Sequence, residues 1–422
     1  MKKLILLISF LFASLVNAQD FQVKSFNLTE AGELQYEANL GDGEKTPAQI
    51  AVDKLKELGT NHIILNVRAK MVGPYSVDIE PLTGRGSVAQ EARKMSTLIQ
   101  YIQSKNMTVG IRPIFFVVGP NGEFPYTEIR DDGTEKVWWH GNIQPHDPNR
   151  WFDNFQRFLD RYITISRLTG VDEFTIGAEL YSMTVGIEDQ WEEHPYGFPA
   201  QWNQILKYTR SRLGDDVRIM YDINFTDDID RSSGLARSGG ELERWRYRLA
   251  DLAYSNDPEQ QEIWNQLAEF WNGLDAIGID MYRSLAFRND EIPTDYNELV
   301  KLLTSRAYSY AEQLDVTLLE ISFATGEEKP VILKEVGFRS VENAFIDPFT
   351  YATSQGQLNI EHQAAGYEAL FRGFAEPEFE WFLGFAFWDV PLSPNLHGPN
   401  DRGFSPLGKA QTEEVIKRYF KQ

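Results

Sequence analysis

Short β-branched apolar runs recur along this chain, each separated from the next by a polar loop and a stretch with apolar residues three and four apart. Continuous apolar runs read as strands buried on both faces, and the 3–4 spacing reads as helices with one buried face. In "AVDKLKELGTNHIILNVRA" a helix over Val52 to Leu58 stops at Gly59, and a strand follows from His62 to Val67. "MSTLIQYIQSKNMTVGIRPIFFV" repeats the unit, with its strand from Thr108 to Phe116. So does "WFDNFQRFLDRYITISRLTGVDEFTIGAEL": Trp151, Phe155, Phe158, Leu159 and Tyr162 share a helix face, Gly170 ends the helix, and Glu173 to Ala178 is the strand. Further strands are expected at Val217 to Ile223, Leu274 to Ile279, Val331 to Lys334 and Phe382 to Trp388, with a weaker one at Val23 to Leu28.

About eight strands alternating with helices, with no antiparallel hairpin expected, predict an α/β fold: a (β/α)8 barrel or a doubly wound sheet. No glycine-rich dinucleotide fingerprint follows any strand, which weighs for the barrel. Thr226 to Asn272 and Arg283 to Glu328 read as insertions in its loop or helix layer, so residues 19–422 are expected to form one domain. Before it, "MKKLILLISFLFASLVNAQD" has a basic start, an apolar stretch from Leu4 to Val16 and a Val16-Asn17-Ala18 cleavage site. Residues 1–18 thus read as a signal peptide, and a secreted or periplasmic protein is expected.

The chain has no cysteine, so neither disulfides nor a thiolate metal site can hold the fold. Its six histidines show no ligand spacing, and neither metal nor other cofactor is expected. A formal charge of −21 repels nucleic acid and anionic membranes, leaving neutral polymers as partners. No further apolar run approaches membrane length. A monomer is expected. No Gly-x-Ser-x-Gly elbow marks an esterase.

Two of the strands end in a carboxylate: "FTIGAEL" in Glu179 and "PVILKEVG" in Glu335. Burying such a charge is costly, so a reason is needed. In a barrel the carboxyl ends of all strands meet at one face. There, one carboxyl can protonate a glycosidic oxygen, for which its pKa should be raised, while the other attacks the anomeric carbon. The bland alternative is salt bridging to Lys334 or Arg339, although adjacent strand residues point to opposite faces. Several other residues carry a similar choice. Tyr282, two past Asp280 in "IGIDMY", donates to a carboxylate or sits in the core. Trp388, ending "GFAFW", stacks on a sugar or packs the barrel. Trp138, Trp139 and His140 in "VWWHGNIQP" line exposed glycan subsites or plug a loop. Arg112 and Asn224, with Asp222 on the face of Asn224, bind sugar hydroxyls or pair internal carboxylates.

The chain resembles clan A glycoside hydrolases, most closely family 113, the endo-β-1,4-mannanases. "LKELGTNHIILNV", "HGNIQP", "WNGLDAIGIDMY", "KPVILKEVGFRS" and "GFAFWDV…DRGFSPLGKAQ" carry the resemblance nearly end to end, together with the Gly-x-Glu of "TIGAEL". The resemblance implies that Glu179 is the acid/base and Glu335 the nucleophile of a retaining enzyme acting on β-mannan or a related β-glycan. It also favours Tyr282 as a donor to the nucleophile and Trp388 as a sugar platform. Most of the clan has Asn before the acid/base, where this chain has Ala178, as family 113 does. That leaves the partner of the sugar 2-hydroxyl open.

Overall fold

The computed structural model describes residues 21–82, 87–130, 132–187, 190–226, 240–349 and 355–422. The expected signal peptide lies outside the described residues. In chain order the strands are β1 (Val23–Thr29), β2 (His62–Val72), β3 (Glu80–Pro81), β4 (Thr108–Val118), β5 (Tyr126–Ile129), β6 (Glu135–Trp138), β7 (Glu173–Ala178), β8 (Arg218–Phe225), β9 (Ala276–Met281), β10 (Val331–Val336) and β11 (Phe382–Pro391). The helices are α1 (Pro47–Leu58), α2 (Val88–Ser104), α3 (Pro148–Thr169), α4 (Tyr181–Thr184), α5 (Pro199–Leu213), α6 (Gly240–Arg246), α7 (Pro258–Gly273), α8 (Tyr296–Thr325), α9 (Ile360–Leu370) and α10 (Ala410–Phe420).

Eight of these strands pair in parallel in the order β1, β2, β4, β7, β8, β9, β10, β11, and β11 pairs back onto β1. The sheet therefore closes into a (β/α)8 barrel. All eight strands expected from the apolar runs are present, and β2, β4, β10 and β11 run a few residues longer than expected. Helix ends follow local chemistry. Thr46 caps α1 in a reciprocal box with Gln49, Pro47 opens it, and Gly59 closes it in the left-handed region. Such a cap contributes about 1 kcal/mol.

The two expected insertions are mostly the regular outer layer. Among the described residues, Thr226 to Asn272 holds α6 and all but the last residue of α7, and Arg283 to Glu328 contains the 30-residue α8. Asp295 caps α8 at one end and Gly326 stops it at the other, so its length comes from an uninterrupted run without Gly or Pro. The expectation of no hairpin is overturned. β5 and β6 pair antiparallel, with Arg130 and Thr134 bonded across a turn at Gly133. "DDGT" between two alternating runs was the signal.

Apolar packing has two parts. One large core fills the space between strands and helices. Inside the barrel, Val23, Ile64, Met220, Ala276, Ile332 and Ala386 from six strands form a plug. Above the plug the interior is polar: Asn27 donates to the carbonyl of Lys334, and Asn66 donates to Asn27. Lys334 pairs with Glu173 in full burial, and its ammonium also donates to Thr175.

Candidate active site

Glu335 reaches the barrel mouth by a break in strand alternation. The register of β10 against β9 slips between Leu333 and Glu335. A bulge of this kind lets two successive side chains turn to one side. Lys334 goes inward to Glu173, and Glu335 reaches Arg112 and Tyr282. The expectation that these neighbours oppose one another fails for that reason.

Two donors hold Glu335. Arg112 Nη1 lies 2.8 Å from its Oε2, and the Tyr282 hydroxyl donates to Oε1 at 2.9 Å. Burial pushes this carboxyl up and the charge of Glu179 adds to that, while Arg112 and Tyr282 act against it. Arg112 is itself buried and spends its other nitrogens on Asp222 (Nε, 2.7 Å) and Asp280 (Nη2, 2.5 Å). It thus pairs internal carboxylates, one of the two roles open to it from sequence. Burial also drives Asp280 well above its ordinary value, against Arg112, and Glu335, Asp222 and Glu179 add to it. Arg112 and Tyr282 both favour the charged form of Glu335. Close packing makes the cluster possible: a Cβ on Gly278 would stand 2.0 Å from Asp222 Oδ1.

Glu179 follows directly on β7 with φ of 53°, in the left-handed region. For a residue other than Gly that costs about 1–2 kcal/mol. Two bonds from β8 hold the turn: Glu179 N donates to the carbonyl of Asp222 at 2.9 Å, and Leu180 N donates to the Tyr221 hydroxyl at 2.9 Å. The carboxyl meets Asn224 Nδ2 at Oε1 (2.6 Å) and His140 Nε2 at Oε2 (2.9 Å). Burial raises this carboxyl, but His140, the Asn224 amide and Arg112 together outweigh burial and hold it below its ordinary value. That direction is opposite to the one expected for an acid. Asn224, one strand over, is the amide beside Glu179.

His140 is delivered by the β5–β6 hairpin. Asn142 accepts from Trp139 N and donates to the carbonyl of Val137, closing a tight turn. Gly141 is required there, since a Cβ would lie 2.3 Å from the Tyr181 ring. Trp139 is half-buried and packs edge-on against His140 and Tyr181. The expected exposed Trp pair is corrected in one member. Trp138 is buried, donates to Glu128 and carries Lys136 over its ring, so it anchors the hairpin. Trp388 is half-buried in β11, three residues before its end, and among the described residues no aromatic ring packs against it.

Sequence reasoning passed over two carboxylates here. Asp389 accepts from the Thr29 hydroxyl at 2.6 Å, and burial raises it to about 6. Its place one residue past Trp388, in the part of the barrel strand toward the mouth, was a usable signal. Glu241, on α6, is buried and accepts from Trp245, Tyr221 and the backbone N of Asn224. Burial raises it to about 8. Nothing in the helical pattern around Glu241 marks it. Among the described residues no His, Cys, Asp or Glu cluster could hold a metal ion, and no helix is long and apolar enough to cross a membrane.

The model of Glycoside Hydrolase Family 113 matches residues 34–232 and 251–409. Similar solved structures include the GH113 beta-mannanase AaManA from Alicyclobacillus acidocaldarius, at 18% identity over 95% of this chain and 97% of that one, with a TM-score of 0.60. A GH113 beta-1,4-mannanase is similar at 16% identity over 95% and 99%, with a TM-score of 0.57. At such identities the likeness shows the fold. A search of curated proteins finds no match.

Proposed function

Because the chain belongs to glycoside hydrolase family 113, we propose that this glycoside hydrolase is an exported, retaining endo-β-1,4-mannanase. The observation that carries the reading is the pairing of two strand-end carboxyls with opposite surroundings. Glu335 is held by an arginine and a phenol, both of which stabilise an anion. Glu179 faces an imidazole that can exchange a proton.

Glu335 attacks the anomeric carbon while Glu179 protonates the departing oxygen. Water, activated by the same Glu179, then releases the sugar from Glu335. This geometry requires the carboxyls to be about 5–5.5 Å apart. Trp388 supplies the face on which the reacting sugar stacks. His140 and Trp139 lie on the acid/base side, where the leaving sugar must be. The apolar N-terminal stretch directs export, and the exported chain is expected to begin at Gln19.

The test is hydrolysis of a panel of β-mannan, glucomannan, xylan and β-glucan. An early fall in mannan viscosity with release of short oligosaccharides is expected. Monosaccharide release with little viscosity loss would overturn the endo mode, and activity confined to xylan or β-glucan would overturn the substrate.

A further inference from the structure

The ring of His140 is fixed at both nitrogens. Nδ1 lies 3.1 Å from the carbonyl oxygen of Phe115, and Nε2 lies 2.9 Å from Glu179 Oε2. A carbonyl only accepts, so Nδ1 carries a hydrogen in every state that keeps this bond. Flipping the ring would set carbon against both partners. The only proton on the ring that can vary is therefore the one at Nε2.

Glu179 is equally constrained. Asn224 donates to Oε1, so Oε2 is the oxygen left to bear a proton. At 2.9 Å a bare Nε2 lone pair and a bare carboxylate oxygen would repel each other. The contact requires one proton between them, on the carboxyl or on the imidazole, and either placement leaves the pair with zero net charge. The two side chains are 18% and 12% exposed, so the bond is largely withdrawn from water yet reachable from it. The titratable and charged groups facing it are Arg112 from β4, Glu335 from β10, Asp280 from β9 and Glu241 from α6.

We propose that Glu179 and His140 share a single mobile proton across the Oε2–Nε2 bond, and that His140 is the positioning residue that keeps the acid/base able to donate. The proposal rests on reading Glu179 as the acid/base. It also bears on the expectation that an acid here needs a raised pKa: the proton is held by the pair, across the bond. In the first step the proton passes to the glycosidic oxygen as the C–O bond breaks and the bond to Glu335 forms. In the second, water gives a proton to Glu179 as its oxygen bonds to the anomeric carbon and Glu335 departs. The pair is then restored.

Two measurements test this. The first is a pH titration of the intact protein with nitrogen-15 histidine, read by NMR. Nδ1 of His140 should stay protonated throughout. Nε2 should lose its proton about one pH unit or more higher in the wild type than in Glu179→Gln, the size of an opposite-charge effect at contact. A neutral ring protonated at Nε2, or a titration unmoved by the substitution, would overturn the proposal. This readout needs no turnover, so a wild type that cleaves no β-mannoside would sink the mannanase reading alone.

The second uses His140→Gln. The basic limb of its kcat/KM profile on mannan should move about one unit to lower pH. Its loss should be larger on mannan than on a dinitrophenyl β-mannoside, whose leaving group needs no proton. Equal losses on both substrates with an unmoved limb would reduce His140 to a sugar contact.

Discussion

At the scale of single residues, the two glutamates should separate by leaving group. Glu335→Ala is expected to lose turnover on every substrate, because the covalent step is gone. Glu179→Ala should fail on mannan yet still form the glycosyl-enzyme from a dinitrophenyl mannoside. Added azide should then restore turnover and give the β-mannosyl azide, identified by NMR; an inactive, unrescued variant would reverse the assignment. Tyr282→Phe removes one of the two donors to Glu335. A hydrogen bond to a charged group contributes about 1.5–3 kcal/mol, so kcat is expected to fall about 10- to 150-fold. Unchanged kcat would mean that Arg112 alone suffices.

At the scale of elements, α6 secures both segments around Glu179. Glu241 accepts from the backbone of Asn224 and from the hydroxyl of Tyr221, and Tyr221 in turn accepts from Leu180 N. The folded protein keeps the Glu241 proton to about pH 8, whereas an unfolded glutamate releases it near 4.5. Its contribution to stability is therefore full below 4.5 and is lost as pH rises through about 8. Glu241→Gln should lower Tm at every pH, since Trp245 and the backbone of Asn224 donate to different oxygens and one of these becomes an amide nitrogen that cannot accept. It should also flatten the fall of Tm between about pH 5 and 8, and thermal melts across that range would show whether the slope survives.

At the scale of the whole molecule, the barrel interior combines an apolar plug with a buried ion pair. Lys334 meets Glu173, which His62 and Arg218 also approach. Removing one partner of a buried pair leaves an uncompensated charge and costs about 3–5 kcal/mol. Lys334→Met should therefore move the denaturation midpoint far to lower urea, while Lys301→Met on the exposed face of α8 should leave it nearly unmoved. Similar midpoints for the two variants would mean that the interior relaxes around Glu173.

The alternation of apolar runs and helical faces was enough to order eight strands, because each must be buried on both sides and each helix on one. "GAEL" and "LKEVG" were legible for a related reason: a carboxylate closing a buried run stands out against its cost. The hairpin was also readable, in its Asp-Gly turn, and went unread. What no local pattern contains is who faces whom. The bulge at Lys334 depends on pairing with β9, 54 residues away in the chain for Leu333 and Ile279. Arg112 gathers three carboxylates from three strands, and His140 finds Glu179 from the end of a hairpin. Hydrophobic periodicity records only whether a side chain leaves water. Hydrogen-bond partners and protonation depend on distances of a few ångströms between segments far apart in sequence, and closure of the barrel sets those distances.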